Sequence, residues 1–321
     1  MLIPVIVPGL AMLFADCGRA GSGAGQPASK GNTRAGAREK PSWAEVVAWT
    51  HSWDLRDAAT YEDDGAAWSK PAATRVDTVG DRGPNPRPLK RDAGVWSKNL
   101  GVARIPGPKY VRTSRRFNGR PAMLTDFLGA AGVFKRTCSM LSPNADPLDS
   151  AMWFNPPRGY DAPYWCAILC RATEDFTEWF GAWDANNGHM GTAATIGAAL
   201  KRGKKNHCWG VTTSLGLGDP WPSTDVEGSA DQTILVVVKV DDANSFMELT
   251  WRDIDGKLVT QRTDFRLKSH TAKEVFFGYV HSSYLTVAGL KVGSPTEAEV
   301  EAVRNWAAPW IPPMGSLPVE P

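Results

Sequence analysis

The carboxylates between Glu174 and Glu178 come closest, by their spacing, to a catalytic pair. Retaining hydrolysis of a glycosidic bond needs two carboxyl groups about 5 Å apart, one as acid and one as nucleophile. On an extended strand Glu174 and Glu178 share one face, whereas Asp175 lies on the other. Because the three groups could converge only at a β-bulge, we predict no catalytic residues and a protein that is not an enzyme.

A second kind of chemistry is suggested by Asp184-Ala185-Asn186-Asn187-Gly188, which places oxygen atoms at alternate positions before a turn glycine. Asp184 and Asn186 are compatible with Ca²⁺ ligands. No bidentate glutamate follows at calcium-loop spacing, which favours an ordinary hairpin turn. We therefore expect no cofactor, with Ca²⁺ as the alternative.

Tryptophan side chains offer a third chemistry, because an exposed indole can stack on a sugar ring. Trp179 and Trp183 are four residues apart and share a face on a regular strand. Trp221 lies between two prolines in a Gly/Asp loop, where exposure is expected. We predict these three residues as ligand or partner contacts, and packing in a large β core is the alternative for the first two.

Strands and turns must position these residues. The chain contains 24 Pro, 31 Gly and 14 Trp, which suits many strands joined by irregular loops. Asp255-Gly256 separates two alternating apolar runs and is the strongest hairpin signal in the chain. Ser294, with Glu297 three residues later, predicts a capped C-terminal helix. The predicted strands are Gln232–Val240, Phe246–Asp253, Lys257–Asp264, Glu274–Tyr279, Leu285–Val292, Val133–Met140, Tyr164–Ala172, Glu178–Trp183, Thr192–Leu200 and Cys208–Ser214.

Charge is distributed unevenly along the chain. Residues 1–120 carry 19 basic and 11 acidic side chains, and the remainder carries 17 and 23. The Pro-rich stretch 82–112 suits phosphate or an acidic protein surface, and a solvated loop is the alternative. It lacks the interleaved aromatic residues that stack on bases, so we expect no nucleic acid partner. The predicted basic patch comprises Arg82, Arg87, Lys90, Arg91, Arg112, Arg115 and Arg116.

The first 41 residues differ from the rest in composition. An apolar stretch is followed by Gly, Ala, Ser, Lys and Arg, which cannot bury enough apolar surface to fold alone. The apolar stretch is too short and too interrupted by proline to span a membrane. We predict an assembly arm anchored by Ile3, Val5, Ile6 and Val7. Residues 42–312 form the β domain with its basic insertion near 82–112, and 313–321 form a tail.

Three motifs, in order, carry a resemblance to a known family. Asn118–Ala122 reads NGRPA, Asp255-Gly256 forms the hairpin turn, and Ser294–Trp306 closes the domain. In this order they resemble the concanavalin A-like, or laminin-G-like, domain of bacteriophage structural proteins, over residues 43–310. The resemblance implies an antiparallel jelly-roll β-sandwich with a short C-terminal helix. The long basic stretch from Gly80 to Pro108 departs from the family outline.

From this resemblance we expect a minor tail or tail-tip protein of a virion, located on the tail or particle surface. Its partners would be other virion proteins in a multi-subunit assembly, and its lectin-like domain would contact subunits or a host-surface glycan. The alternatives are a secreted or surface lectin, with an extracellular location, a head decoration protein, and a degenerate glycoside hydrolase.

Overall fold

A computed structural model describes the chain between residues 41 and 316, with gaps. All described residues belong to one compact unit, Lys40–Pro321. The described stretches are 41–63, 72–91, 107–125, 152–154, 160–161, 163–172, 176–182, 194–199, 208–213, 223–227, 232–241, 244–265, 271–272, 275–279 and 283–316. For the strands within 152–161, 176–227 and 271–279, only the backbone is described.

Strands dominate the described chain, and two α-helices flank them. Helix α1 is Trp43–Val46 and helix α2 is Glu297–Ala307. The strands are β1 (His51–Asp63), β2 (Ala73–Asp81), β3 (Leu89–Lys90), β4 (Lys109–Ser114), β5 (Arg120–Thr125), β6 (Met152–Phe154), β7 (Tyr160–Asp161), β8 (Tyr164–Ala172), β9 (Phe176–Ala182), β10 (Ala194–Ala199), β11 (Cys208–Thr213), β12 (Ser223–Glu227), β13 (Thr233–Val240), β14 (Ser245–Arg252), β15 (Leu258–Phe265), β16 (Thr271–Ala272), β17 (Val275–Tyr279) and β18 (Ser283–Val292).

The predicted elements of the last third are confirmed, with one shift at the helix. β14 and β15 pair antiparallel across the turn at Asp255-Gly256, and Gly256 adopts φ 79°. Helix α2 starts later than predicted, because the capping box joins Thr296 to Glu299. Ser294 is therefore not the cap, and the Thr296 hydroxyl accepts from the Glu299 amide at 3.2 Å.

One group of strands, which we call the helix-covered strands, runs in the order β5-β18-β8-β13-β14-β15. Both faces of β8 and β13 are buried, which explains why each reads as a continuous apolar run rather than an alternating one. Even-numbered residues of β8 and β13, such as Ile168 and Val236, belong to a buried apolar cluster on one face of these strands, which we call the inner core. Odd-numbered residues such as Leu169 and Val237 pack against the helices.

Tryptophan rings fill much of the helix-side core. Trp43 of α1 packs against Trp306 of α2 with ring centroids 4.8 Å apart and planes tilted by 54°, and the Trp49 and Trp165 centroids are also 4.8 Å apart. The Trp306 indole also donates to the Pro41 carbonyl at 2.8 Å. The beginning of the domain and its last helix therefore pack together on one face of the helix-covered strands.

Beyond β4, which pairs with β5 and β2, the hydrogen-bonded path continues through a second group of strands, which we call the distal strands, in the order β2-β3-β6-β17-β9-β10-β11-β12; β7 and β16 pair separately. The inner core joins the two groups, because Val76, Val79 and Leu89 of β2 and β3 belong to one buried cluster with Ile168 and Val236. β1 bridges the groups, since its first part pairs with β18 and its second part with β2. The prediction of an all-β protein is confirmed.

The described helices include none of the length and apolar character needed to cross a membrane. The assembly arm Ile3, Val5, Ile6 and Val7 lies outside the described residues, as do the predicted strand Val133–Met140 and the tail from residue 317.

Candidate functional site

The short strand β3 fixes which face of the distal strands is turned away from the core. Leu89 is fully buried in the inner core, whereas its neighbour Lys90 is exposed. Their partners on β2 follow the same alternation, because Leu89 pairs with buried Val79 and Lys90 with half-buried Thr78. Since successive residues of a strand lie on opposite faces, Lys90 marks the outer face of the distal strands.

Strand register places two aromatic residues on this outer face. Lys90 pairs with Trp153 of β6, Trp153 pairs with Phe276 of β17, and Phe276 pairs with Gly181 of β9. Residues directly opposite each other in an antiparallel pair share a face. Lys90, Trp153, Phe276 and Gly181 therefore form one cross-strand row on the outer face, which we call the aromatic row.

Trp179 extends the aromatic row along β9. It lies two residues before Gly181, and the register of β9 with β17 stays regular from Glu178 to Gly181, which places Trp179 on the same face. The pairing of β9 with β10 shifts at this position, because Glu178 pairs with Gly197 while Phe180 pairs with the next residue, Ile196. Trp179 is thus the extra residue of a β-bulge, a feature often found next to active sites.

The outer face of the distal strands differs from both faces of the helix-covered strands. β8 and β13 are covered on one side by the inner core and on the other by the helices. An extended ligand cannot lie on either of those faces. The aromatic row, in contrast, begins at an exposed residue, Lys90, and so reaches the surface of the molecule.

A buried carboxylate holds the segment that leads into β3. Asp81 accepts from the amides of Ser52, Gly83 and Arg87 at 2.6–2.8 Å, and its Oδ2 lies 2.6 Å from His51 Nδ1. Burial opposes the charged form of Asp81, but the hydrogen bonds from His51 and the amides outweigh it and lower the pKa of the carboxyl. The Trp53 indole donates to the Arg87 carbonyl at 2.9 Å, which fixes the loop from the other side.

The two ends of segment 92–106 are held side by side. The Arg91 guanidinium lies over the Tyr61 ring, 3.9 Å from its centroid, with Nε 2.9 Å from Asp77. The Gly107 amide donates to the Tyr61 hydroxyl at 3.2 Å. A Cβ on Gly107 would lie 1.9 Å from the Val76 carbonyl oxygen, so this close approach requires glycine.

The structure places the predicted basic residues in different environments. Arg82 pairs with Asp57 at 2.8 Å, and Arg116 is buried with its guanidinium 4.2 Å from the Tyr284 ring centroid. Four of the predicted basic residues are exposed and have no ion pair with a described carboxylate: Arg87, Lys90, Arg112 and Arg115. The first two lie at β3 and the last two at the end of β4, and the basic patch as a binding surface stays a prediction.

A second charged cluster lies on the helix side, where β1 passes from β18 to β2. Asp54 accepts from Arg120 Nη2 and Arg56 Nη2, both at 2.7 Å. The Arg120 guanidinium lies over two neighbouring indoles, 4.8 Å from the Trp306 ring centroid and 4.9 Å from that of Trp310. Burial opposes ionisation of Asp54, but the Arg56 hydrogen bond and the Arg120 charge lower the pKa of its carboxyl. Its oxygens are already bound by cations, which suits an anchor better than a proton donor.

Two other carboxylates, buried Glu248 and half-buried Asp63, are neutralised in the same way. Glu248 accepts from Arg304 Nη2 at 2.6 Å, and Asp63 from Arg75 Nε at 2.5 Å. Within the described residues, no group of three or more His, Cys, Asp or Glu side chains could hold a metal ion. The candidate calcium ligands Asp184 and Asn186 lie outside the described residues.

Of the three tryptophans predicted as contact residues, the structure describes only one. The backbone of Trp179 is placed in β9, whereas Trp183 and Trp221 lie outside the described residues. The sequence analysis missed Trp153 and Phe276. Their link to Trp179 depends on pairing β6 with β17 and β17 with β9, strands more than ninety residues apart along the chain. No local pattern reveals such a pairing.

Comparisons with known proteins find no matching family model and no matching curated protein. Solved structures do match. An α-L-arabinofuranosidase of family GH54 matches with TM-score 0.48 and 11% identity, over 84% of this chain and 60% of that one. Domain 4 of AbnA, a GH43 extracellular arabinanase from Geobacillus stearothermophilus, matches with TM-score 0.41 and 11% identity, over 81% of this chain and 98% of that one.

The enzymatically active domain of tailspike protein 2 from bacteriophage CBA120 gives TM-score 0.40 and 8% identity, over 65% of this chain and 30% of that one. Glucanases and a lectin are also among the matches. The chain spans less than two thirds of the arabinofuranosidase and tailspike chains. At these values the similarity concerns the β-rich fold.

These comparisons correct one expectation. The sequence analysis predicted a protein that is not an enzyme, but glycoside hydrolases lead the structural matches. That exclusion is wrong. The prediction also assumed regular alternation along this strand, whereas the pairing of β9 with β10 shifts between Glu178 and Phe180, and residues 174 and 175 lie outside the described part of the chain.

Proposed function

We propose that this protein is a glycan-binding component of a phage-like virion, a minor tail or tail-tip protein with a concanavalin A-like sandwich. The outer face of the distal strands is its glycan surface. The observation that carries the proposal is the aromatic row, in which Trp153 and Phe276 are paired side by side next to Trp179. Aromatic faces bind the apolar faces of sugar rings, and shape and a few polar groups then select the sugar.

We place the glycan surface on the outer face of the distal strands because the faces of the helix-covered strands are already packed. Both faces of β8 and β13 are occupied by apolar side chains. The aromatic row on the distal strands would give an extended sugar chain a surface to lie on. The virion part of the proposal is supported by the resemblance carried by Asn118–Ala122, Asp255-Gly256 and Ser294–Trp306, and by the apolar arm in the sequence.

Glycan binding is tested by comparing variants on a glycan array. Trp153→Ala and Trp179→Ala should each weaken binding about two- to tenfold, since stacking on one aromatic ring contributes about 0.5–1.5 kcal/mol. Ile254→Ala is the matched control, because Ile254 is a large apolar side chain that is 75% exposed at the β14–β15 turn. A parent protein that retains no glycan at all would refute the proposal.

Virion location needs a separate test. Antibodies against the chain should label the tails of purified particles in electron microscopy. Labelling of heads would favour a decoration protein, and detection in the culture medium without particles would favour a secreted lectin. Either result would reject the proposed location on the tail, and the glycan surface would still be tested separately by the glycan array.

Glycoside hydrolysis is the second candidate, and the bulge at Trp179 favours it. A bulge changes the direction of neighbouring side chains, which is what the carboxylates near Glu178 require. If the parent protein cleaves a β-glucan, Glu178→Gln and Glu174→Gln should each lower the rate at least a hundredfold, because a retaining mechanism needs both carboxyl groups. Activity unchanged in both variants would remove these residues as catalytic groups.

A further inference from the structure

We propose that the glycan is acidic, a polysaccharide that carries carboxylate groups, and that Lys90 and Arg87 bind those groups at one end of the aromatic row. This inference rests on the proposed glycan surface and names its ligand class. The juxtaposition behind it is the direct pairing of Lys90 with Trp153. A cation therefore occupies the strand position next to the first aromatic residue of the row.

Both cations are available to a ligand. Lys90 and Arg87 are exposed, and neither has an ion pair in the described part of the chain. Neighbouring cations are already used, since Arg82 binds Asp57 and Arg91 binds Asp77. Lys90 at the end of the row and Arg87, three residues before it, are thus positive charges that no described carboxylate neutralises, which favours an anionic ligand.

The two cations are also held on a rigid base. The Arg87 amide donates to Asp81 at 2.6 Å, and its carbonyl accepts from the Trp53 indole. Leu89, the residue before Lys90, is fully buried. The backbone on either side of both cations is therefore fixed before any ligand arrives, which lowers the entropy cost of binding.

The dimensions suit several sugar units. Neighbouring strands lie about 4.8 Å apart, so the row from Lys90 across Trp153 and Phe276 to Gly181 spans roughly 14 Å. A sugar ring stacked on Trp153 would bring its carboxylate to Lys90 one strand away. Arginine and lysine bind carboxylates through charge-assisted hydrogen bonds.

The test uses a panel of uronic-acid polysaccharides, each paired with its carboxyl-reduced counterpart, which has the same backbone without the charge. Binding is measured by biolayer interferometry at low and high salt for the parent, Lys90→Gln, Arg87→Gln and Lys257→Gln. Lys257 is the control, because it is an exposed lysine at the β14–β15 turn.

The parent should bind an acidic polysaccharide at least tenfold more tightly than its reduced counterpart, and high salt should weaken that binding. Lys90→Gln and Arg87→Gln should each lower affinity for the acidic form about tenfold, and Lys257→Gln should match the parent. Equal binding of acidic and reduced forms, or parent-like binding by both Lys90→Gln and Arg87→Gln, would overturn this inference while the glycan surface stands. Failure to bind any member of the panel or of the glycan array would overturn both proposals.

Discussion

Arg120 Nη2 lies 2.7 Å from Asp54 Oδ2, and its guanidinium lies over the rings of Trp306 and Trp310. The pair is buried, with side-chain exposures of 3% and 6%. It joins β1 and β5 to the end of helix α2, so three parts of the chain that are distant in sequence depend on one ion pair.

Asp54→Ala should lower the free energy of unfolding by about 3–5 kcal/mol, because it leaves the buried Arg120 charge without a partner. Urea denaturation at pH 7 measures the change. Asp57→Ala is the control, since Asp57 pairs with an Arg82 side chain that is 63% exposed and should change stability by less than about 1 kcal/mol. Equal losses in the two variants would contradict the assigned role of the Asp54–Arg120 pair.

Acid should destabilise the protein through Asp54 and Asp81, whose pKa values are both lowered in the folded state. A lowered folded-state pKa gives stability that is complete above the ordinary aspartate value of about 3.9 and is lost as pH falls through the folded-state value. Unfolding free energies at pH 7, 5, 4 and 3 should therefore fall mainly below about pH 4.

The same titration in Asp81→Asn should show a smaller drop between pH 5 and pH 3, because the variant has one fewer carboxylate to protonate. Asp255→Asn, at the exposed turn of the β14–β15 hairpin, should follow the parent curve. Superimposable curves for the parent and Asp81→Asn would show that the Asp81 carboxylate does not contribute to acid sensitivity.

Gly289→Ala should destabilise the protein by about 1–3 kcal/mol, the usual cost of overpacking a core. A Cβ on Gly289 would lie 2.7–2.8 Å from three ring atoms of Trp49, which is itself buried against Trp43 and Trp165 and cannot move aside. Gly80→Ala is the control, because its Cβ would meet only ordinary contacts of 3.6 Å or more. Comparable stability of both variants in urea would contradict this packing.

Cys166 and Cys170 should resist thiol reagents in the folded protein. Both thiols are fully buried, and burial raises the pKa of each, so the reactive thiolate is scarce. With Cys17, Cys138 and Cys208 changed to serine, a chromogenic disulfide reagent at pH 8 should label neither remaining cysteine in buffer and both in guanidinium chloride. Rapid labelling in buffer would show that the inner core opens readily.

Local patterns predicted the elements whose signals lie within a few residues. The Asp255-Gly256 turn specified the β14–β15 hairpin because a positive φ at Gly256 and the two alternating runs are short-range requirements. The predicted strand Tyr164–Ala172 is confirmed as β8, and alternation along it places Cys166 and Cys170 together in the inner core. The helix start was missed by two residues, because Ser294 and Thr296 both begin capping-box patterns and only packing selects between them.

The sequence by itself determined an all-β chain, its main strands and the buried character of β8 and β13, because alternation and apolar runs record the burial of each strand. Only the tertiary structure decided that Lys90, Trp153 and Phe276 share a row, that Asp54 binds Arg120, and that β9 bulges at Trp179. Those relationships depend on which strands become neighbours and in what register. Register between distant strands is set by the packing of the whole core, and no stretch of the chain encodes it alone.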